Sequence, residues 1–219
     1  MNCIRRARLA LLLAAAVPLA ALPLSSIAAT ADGATLEMET HAAFFSAETK
    51  QPDPLDPQVF VRDAKSRAGT GPQQIRHGAG LRPARIADDR RRNLFNANGQ
   101  PLHFSLGQWL GARGTAHVAA DGRTVTVRLS GLRARGTYSL FENHFDQQPI
   151  GFTPLDGTGR SSTFVAGKDG KATITVEVPQ PLSHANAVLL VYHSDGRAHG
   201  SSRGQIGVNA HHHMIARVP

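Results

Sequence analysis

The chain has 219 residues, 24 Lys and Arg against 16 Asp and Glu, a formal net charge of +8 and one cysteine. A lone cysteine excludes an intrachain disulfide framework and thiolate metal clusters. The modest basic excess suits solubility better than a nucleic-acid footprint, so no nucleic-acid partner is expected.

Residues 1–31 read as a secretory signal peptide. Arg5, Arg6 and Arg8 stand without an acid, and the apolar run from Leu9 to Leu24 is broken by Pro18 and Pro23. Ala29-Thr30-Ala31 then fits a small-residue cleavage site. The run is too short and too proline-broken to span a bilayer, and no other segment is apolar enough, so no transmembrane segment is expected. Cys3 precedes the apolar run and does not mark a lipid anchor. Cleavage after Ala31 leaves a cysteine-free chain, expected to be periplasmic or extracellular.

Residues 32–92 read as a flexible, partly helical and basic N-terminal region. A short helix is expected within Leu36–Glu48. Residues 49–92 carry ten Lys or Arg against five acids, with prolines at 52, 54, 57, 72 and 83. Scattered apolar residues, prolines and a charge excess describe a solvated linker, and an anionic surface is its candidate partner.

Residues 93–219 have a different texture, of short alternating segments punctuated by Gly, Asp and Asn. Pro101–Leu106, Thr115–Ala120 and Arg123–Ser130 are predicted strands, the last two joined through Asp121-Gly122. Val125, Val127 and Leu129 alternate with Thr124, Thr126 and Arg128, giving one buried and one wet face. Gly136–Phe145 follows, and Ser162–Ala166 with Lys171–Val178 is expected to form a hairpin across Lys168-Asp169-Gly170. Ala187–Tyr192 is apolar on both faces and should lie centrally, and residues 208–218 supply the last strand. This predicts an all-β antiparallel sandwich or barrel of about eight strands, Greek-key or immunoglobulin-like.

The last strand contains His211-His212-His213-Met214. Regular alternation puts His212 and Met214 in the core and leaves His211 and His213 side by side on the polar face, ~6–7 Å apart at Cα. Two imidazoles at that spacing suit copper(II) or zinc. A third ligand is sought in the loop after the central strand, at His193, Asp195 and His199, or at His144, which shares a strand face with Glu142. Thr153–Arg160 reads as a turn-rich loop whose amides and Arg160 are a weaker candidate for holding an anion. There is no HExxH, CxxC, G-x-S-x-G or P-loop pattern.

The run Val125-Thr-Val-Arg-Leu-Ser-Gly-Leu-Arg-Ala-Arg-Gly-Thr-Tyr138 resembles a passage of CHRD-type domains and copper/zinc superoxide dismutases. The resemblance implies an exported Greek-key sandwich. In the dismutases the next strand carries a metal-binding H-x-H; here Glu142 takes the first position and His144 the second. Three functions are therefore expected as alternatives. They are a non-catalytic exported sandwich binding copper, zinc or a small polar ligand, a dismutase-like copper redox enzyme, and a cell-envelope interaction module with a basic tether.

Overall fold

The computed structural model describes residues 33–219, so the segment read as an export signal lies outside the described residues. The elements are β1 (Ala34–Thr40), α1 (His41–Glu48), β2 (Leu55–Arg62), β3 (Gly69–Thr70), β4 (Arg76–His77), β5 (Leu81–Arg85), β6 (Asn93–Phe95), β7 (Pro101–Ser105), α2 (Leu106–Leu110) and β8 (Arg113–Val118). They continue with β9 (Thr124–Ser130), β10 (Thr137–His144), β11 (Gly151–Pro154), β12 (Thr163–Val165), β13 (Ala172–Glu177), β14 (Asn186–His193) and β15 (Ala210–Arg217).

The expected all-β antiparallel architecture is present. A curled sheet runs β11-β10-β14-β15-β1-β8-β9-β13, and β12 also pairs with β10. Strand β1 is the seam: residues 34–38 pair with β8, whereas Glu39 and Thr40 pair with β15. The two halves close on one core, with Leu36, Val125, Val127 and Leu129 packed in the same cluster as Tyr138, Leu140, Leu190 and Tyr192. The alternation read in Thr124–Ser130 is observed, since Val125, Val127 and Leu129 are buried and Arg128 is exposed. Strand β14 is buried along its whole length between β10 and β15, as its apolar sequence requires.

Three expectations are corrected. First, residues 33–92 are not a flexible tail. They contribute β1, α1, and strands β2 and β5 of a smaller sheet ordered β5-β2-β6-β7, whose β6 and β7 come from beyond residue 92. Prolines and charges suggested a linker, yet the short run Val59-Phe60-Val61 is fully buried. Some of the charges meet one another: Arg82 meets Asp88 at 2.7 Å and Asp63 at 3.3 Å, and Arg91 meets Asp89 at 2.9 Å. Pro57 falls where the β2–β5 ladder shifts register, so its missing N–H costs no ladder bond. The helix expected within residues 36–48 forms only from His41, with Thr40 as its N-cap.

Second, β12 and β13 do not pair with each other. β12 pairs with β10 and β13 with β9, so the turn at residues 168–170 crosses between the halves of the sheet. A turn signal specifies chain reversal; it does not choose the ladder partner.

Third, β15 does not alternate regularly. Leu190 pairs with Met214 and Val191 with His212, so His213 is the extra residue of a β-bulge. His213 and Met214 consequently both face the main core, while Ile215 packs on the opposite face of the sheet. His212 faces outward, beneath α1.

Where β1 ends at Thr40, Gln58 of β2 takes over the edge of β15. Its side-chain oxygen accepts the His212 N–H at 2.6 Å, and its backbone carbonyl accepts a bond from His211 Nδ1 at 3.0 Å. Its amide nitrogen donates to Gln73 Oε1 at 2.8 Å, and the residue is fully buried. Gln58→Ala orphans the buried His212 N–H and opens a cavity, so we expect a loss of about 2–4 kcal/mol in urea unfolding at unchanged m-value. A loss below about 0.5 kcal/mol, the size of an ordinary surface substitution, would remove Gln58 from this role.

Candidate functional site

The bulge sorts the candidate residues into three separate places. His211 and His213 point into the core rather than onto a wet face. His213 stacks on Trp109 with centroids 3.8 Å apart, and its Nε2–H donates to the Trp109 carbonyl at 2.9 Å. Trp109 in turn donates to the buried Asp56 at 2.9 Å. His211 donates from Nδ1 to Gln58, and its Nε2 lies 3.2 Å from the Ser194 hydroxyl. That hydroxyl also reaches the Val208 carbonyl at 3.2 Å, and its single proton serves one acceptor at a time. Burial pushes both imidazoles down to about 4, so they are neutral at pH 7.

His212 faces the other way. Arg203 Nη1 donates to its Nε2 at 2.9 Å, so its proton sits on Nδ1 and points at His41 Nε2, 3.3 Å away. The neutral His41 then carries its proton on Nδ1, which is buried without a partner. Arg203 lies over the Phe152 ring at 3.3 Å.

His144 belongs to neither group. Its Nε2 contacts Thr153 Oγ1 at 2.9 Å and its Nδ1 lies 3.7 Å from Glu142. It pairs with Asn186, at the opposite end of β14 from His193, a separation of ~23 Å along the strand. The β10 residues singled out by the resemblance therefore provide no copper-zinc donor set. The amides of the 156–161 loop are also spoken for: Asp156 accepts from the N–H groups of Thr158, Gly159 and Ser161 and from the Ser161 and Ser162 hydroxyls. A carboxylate of the chain fills that nest, which is therefore no anion site. These bonds hold Asp156 far below the usual carboxylate range, against the opposing effect of its burial.

The third place is the end of β14. His193 lies on the outer face of the sheet, 1% exposed, and its ring centroid is 5.2 Å from that of His199. His199 Nε2 lies 3.2 Å from Asp195 Oδ2, and Asn209 Nδ2 donates to the same carboxylate oxygen at 3.3 Å. A chain of hydroxyls fixes the His193 tautomer. Thr163 Oγ1 donates to the Gly159 carbonyl at 3.1 Å, so it accepts from Ser139 Oγ at 2.9 Å. Ser139 must then accept from His193 Nε2–H at 2.8 Å. The proton is on Nε2, and Nδ1 presents a bare lone pair. That nitrogen is buried and has no hydrogen-bond partner; His199 Nε2 is also buried, and it faces the Asp195 carboxylate at 3.2 Å without hydrogen-bond geometry. Burial, with His199 nearby, pushes His193 down to about 4 and keeps it neutral at pH 7, although Asp195 acts in the opposite direction.

Sequence reasoning placed His193, Asp195 and His199 in one loop and the structure gathers them. Ser139 and Thr163, which set the tautomer, were missed, because nothing local marks two hydroxyls on separate strands as a relay. Among the described residues, no group of three or more His, Cys, Asp or Glu side chains is already arranged to hold an ion. Among them, too, no helix is long and apolar enough to cross a membrane. Compared with protein-family models, curated proteins and solved structures, the chain gives no match.

Neutral buried histidines make folding pH-dependent. A folded pKa below the unfolded value near 6.5 contributes stability that is complete above that value and is lost as pH falls toward the folded pKa. His211 and His213 at about 4 and His41 at about 3 each forfeit about 3 kcal/mol over this range. His212, held well below its ordinary value by burial and by His41 and Arg203, adds to the loss. Asp56, raised by burial to about 6, runs the other way and gains about 3 kcal/mol on acidification. The histidines outweigh it, and the net loss matches the whole stability of an ordinary domain. We expect cooperative unfolding between about pH 6 and pH 4 with uptake of two or more protons, followed by Trp109 fluorescence. Native fluorescence retained at pH 4 would contradict it.

Proposed function

We propose that the chain is an exported, non-catalytic β-sandwich protein that binds one transition-metal ion, copper(II) or zinc, at the end of β14. The export reading rests on the arginine-headed, proline-broken apolar run at residues 1–31. The observation that carries the metal reading is the bare, buried Nδ1 of His193, beside the His199 imidazole and the Asp195 carboxylate that faces it. A buried polar atom without a partner needs an explanation, and a bound ion is one. A ligating histidine commonly donates its other ring N–H to a fixed acceptor, and Ser139 is such an acceptor. Two imidazoles bound to one tetrahedral ion at 2.0–2.1 Å have ring centroids about 5 Å apart, which matches the observed 5.2 Å.

His193 and His199 would be the nitrogen ligands. The Asp195 carboxylate, 3.2 Å from His199 Nε2, and solvent would complete the coordination. His211, His213 and His144 are engaged elsewhere and have no part in this reading. Nitrogen and carboxylate donors favour zinc or copper(II) over calcium or magnesium.

Equilibrium dialysis of tag-free protein should give about one copper(II) or zinc per chain, and the copper(II) electron paramagnetic resonance spectrum should carry the hyperfine pattern of two imidazole nitrogens. His199→Ala should weaken binding by roughly 100-fold, and Ser139→Ala, which frees the His193 tautomer, by roughly 10-fold. His184→Ala, on an exposed turn, should leave it unchanged. The proposal fails if the wild-type protein binds neither metal, or if His199→Ala binds as tightly as wild type. Superoxide consumption by the copper-loaded protein would replace the non-catalytic reading with a redox enzyme.

A further inference from the structure

A cleft of about 430 Å³ opens where the turns after β9 and β12 meet α2, lined by His103, Phe104, Leu132, Arg133, Lys168 and Asp169 among others. We infer that this cleft binds a small organic anion through Arg133, with Lys168 adding positive charge at its mouth and the His103 imidazole on its rim. Its volume lies within the range of small-molecule sites.

Arg133 is set for this task by the core beneath it. Its Nη1 donates to the Tyr192 hydroxyl at 2.7 Å, and its backbone N–H donates to the Tyr138 hydroxyl at 3.0 Å. Both tyrosines are at most 1% exposed, so the guanidinium stands on a rigid base. Tyr192 passes its own proton to the Leu102 carbonyl at 3.4 Å, which leaves its oxygen as acceptor for the arginine. Among the described residues no carboxylate lies within 4.0 Å of Arg133, in contrast to Arg82, Arg85, Arg91 and Arg217. A half-buried guanidinium that no acid neutralises, and that keeps further donors in a fixed fork, matches a planar carboxylate.

The remaining lining agrees with this ligand. Asp169 is drawn into its own turn, accepting the Lys171 N–H at 3.1 Å with Lys171 Nζ at 3.9 Å, so it offsets little of the positive field. Phe104, Leu132 and Ala134 supply apolar wall, which favours an organic anion over a bare inorganic one. The two lips are held together by the Leu132 N–H to Gly170 carbonyl bond at 2.9 Å. Gly170 is left-handed there, and a Cβ on it would collide with the Leu132 carbonyl. His103, on the rim, also has a left-handed backbone, with φ of 59°, a costly conformation for a non-glycine residue and one that clusters at ligand sites.

This inference is independent of the metal reading. Isothermal titration of the whole protein with succinate, inorganic phosphate and uncharged succinamide tests it. Succinate should bind, phosphate more weakly and succinamide undetectably, with affinity falling as salt rises. Arg133→Lys retains the charge but loses the fork, and Lys168→Ala lies on an exposed turn. Each should weaken succinate binding by roughly 10-fold or more, whereas His199→Ala should leave it unchanged. Absence of succinate binding at millimolar concentration overturns the inference, as does binding that is equal in the wild type and in both variants. Equal affinity for succinamide overturns it as well.

Discussion

The arrangement rests on how the upper half of β15 finds hydrogen-bond partners. Strand β1 pairs with β15 only at Glu39 and Thr40 and then turns into α1. That leaves an edge of β15 buried inside the molecule, where unpaired backbone N–H and C=O groups are costly. Gln58 resolves this from a different sheet, accepting from both the His212 backbone and the His211 ring. It reaches that far because the β2–β5 ladder is interrupted between Asp56 and Phe60, which frees this stretch of β2 from its own neighbour. Two irregularities, one in β2 and one in β15, fit each other.

The bulge at His213 follows from the same fit and decides the chemistry of every histidine nearby. One extra residue places His211, His213 and Met214 on the core side and His212 on the other. An imidazole inside a core is tolerable when neutral and hydrogen-bonded. His213 finds the Trp109 ring and carbonyl, His211 finds Gln58, and His212 finds Arg203 and His41. The triple histidine is thus a set of three structural imidazoles, each with a different partner, and the lability expected in acid is the consequence of keeping them uncharged.

Much of the fold was legible where one residue's neighbours in sequence decide its place. The alternation of Val125, Val127 and Leu129 found the inner face of β9, and the doubly apolar Ala187–Tyr192 found the central strand. Asp121-Gly122 found the β8–β9 turn, where Asp121 accepts from the Arg123 and Thr124 N–H groups. What failed was non-local. Val59-Phe60-Val61 is too short to stand out among the prolines and charges of residues 49–92, and its burial depends on β5 and β6 pairing around it. The face of each histidine in β15 depends on a bulge that no residue of β15 announces. The candidate loop at 193–199 was legible because its residues lie close in sequence. The hydroxyl relay from Ser139 to Thr163 was not, because it joins β10 to β12 across twenty-four positions.

Orphaned nitrogens alone do not make a metal site, and the buried histidines differ in what else they offer. Of the five buried side-chain polar atoms without a hydrogen bond among the described residues, four are imidazole nitrogens. His41 Nδ1 must bear the proton that His41 Nε2 cannot carry while accepting from His212, so it has no lone pair to give. His213 Nδ1 has a lone pair but sits among the rings of Trp109, Tyr138 and Phe104 in the core. His193 Nδ1 combines a lone pair fixed by the relay, an adjacent imidazole and an acid. Its neighbours are also partly open to solvent, with the side chains of His199 and Asp195 22% and 30% exposed. The ring partners of His213 have no such exposure, since Trp109, Tyr138 and Phe104 are all buried.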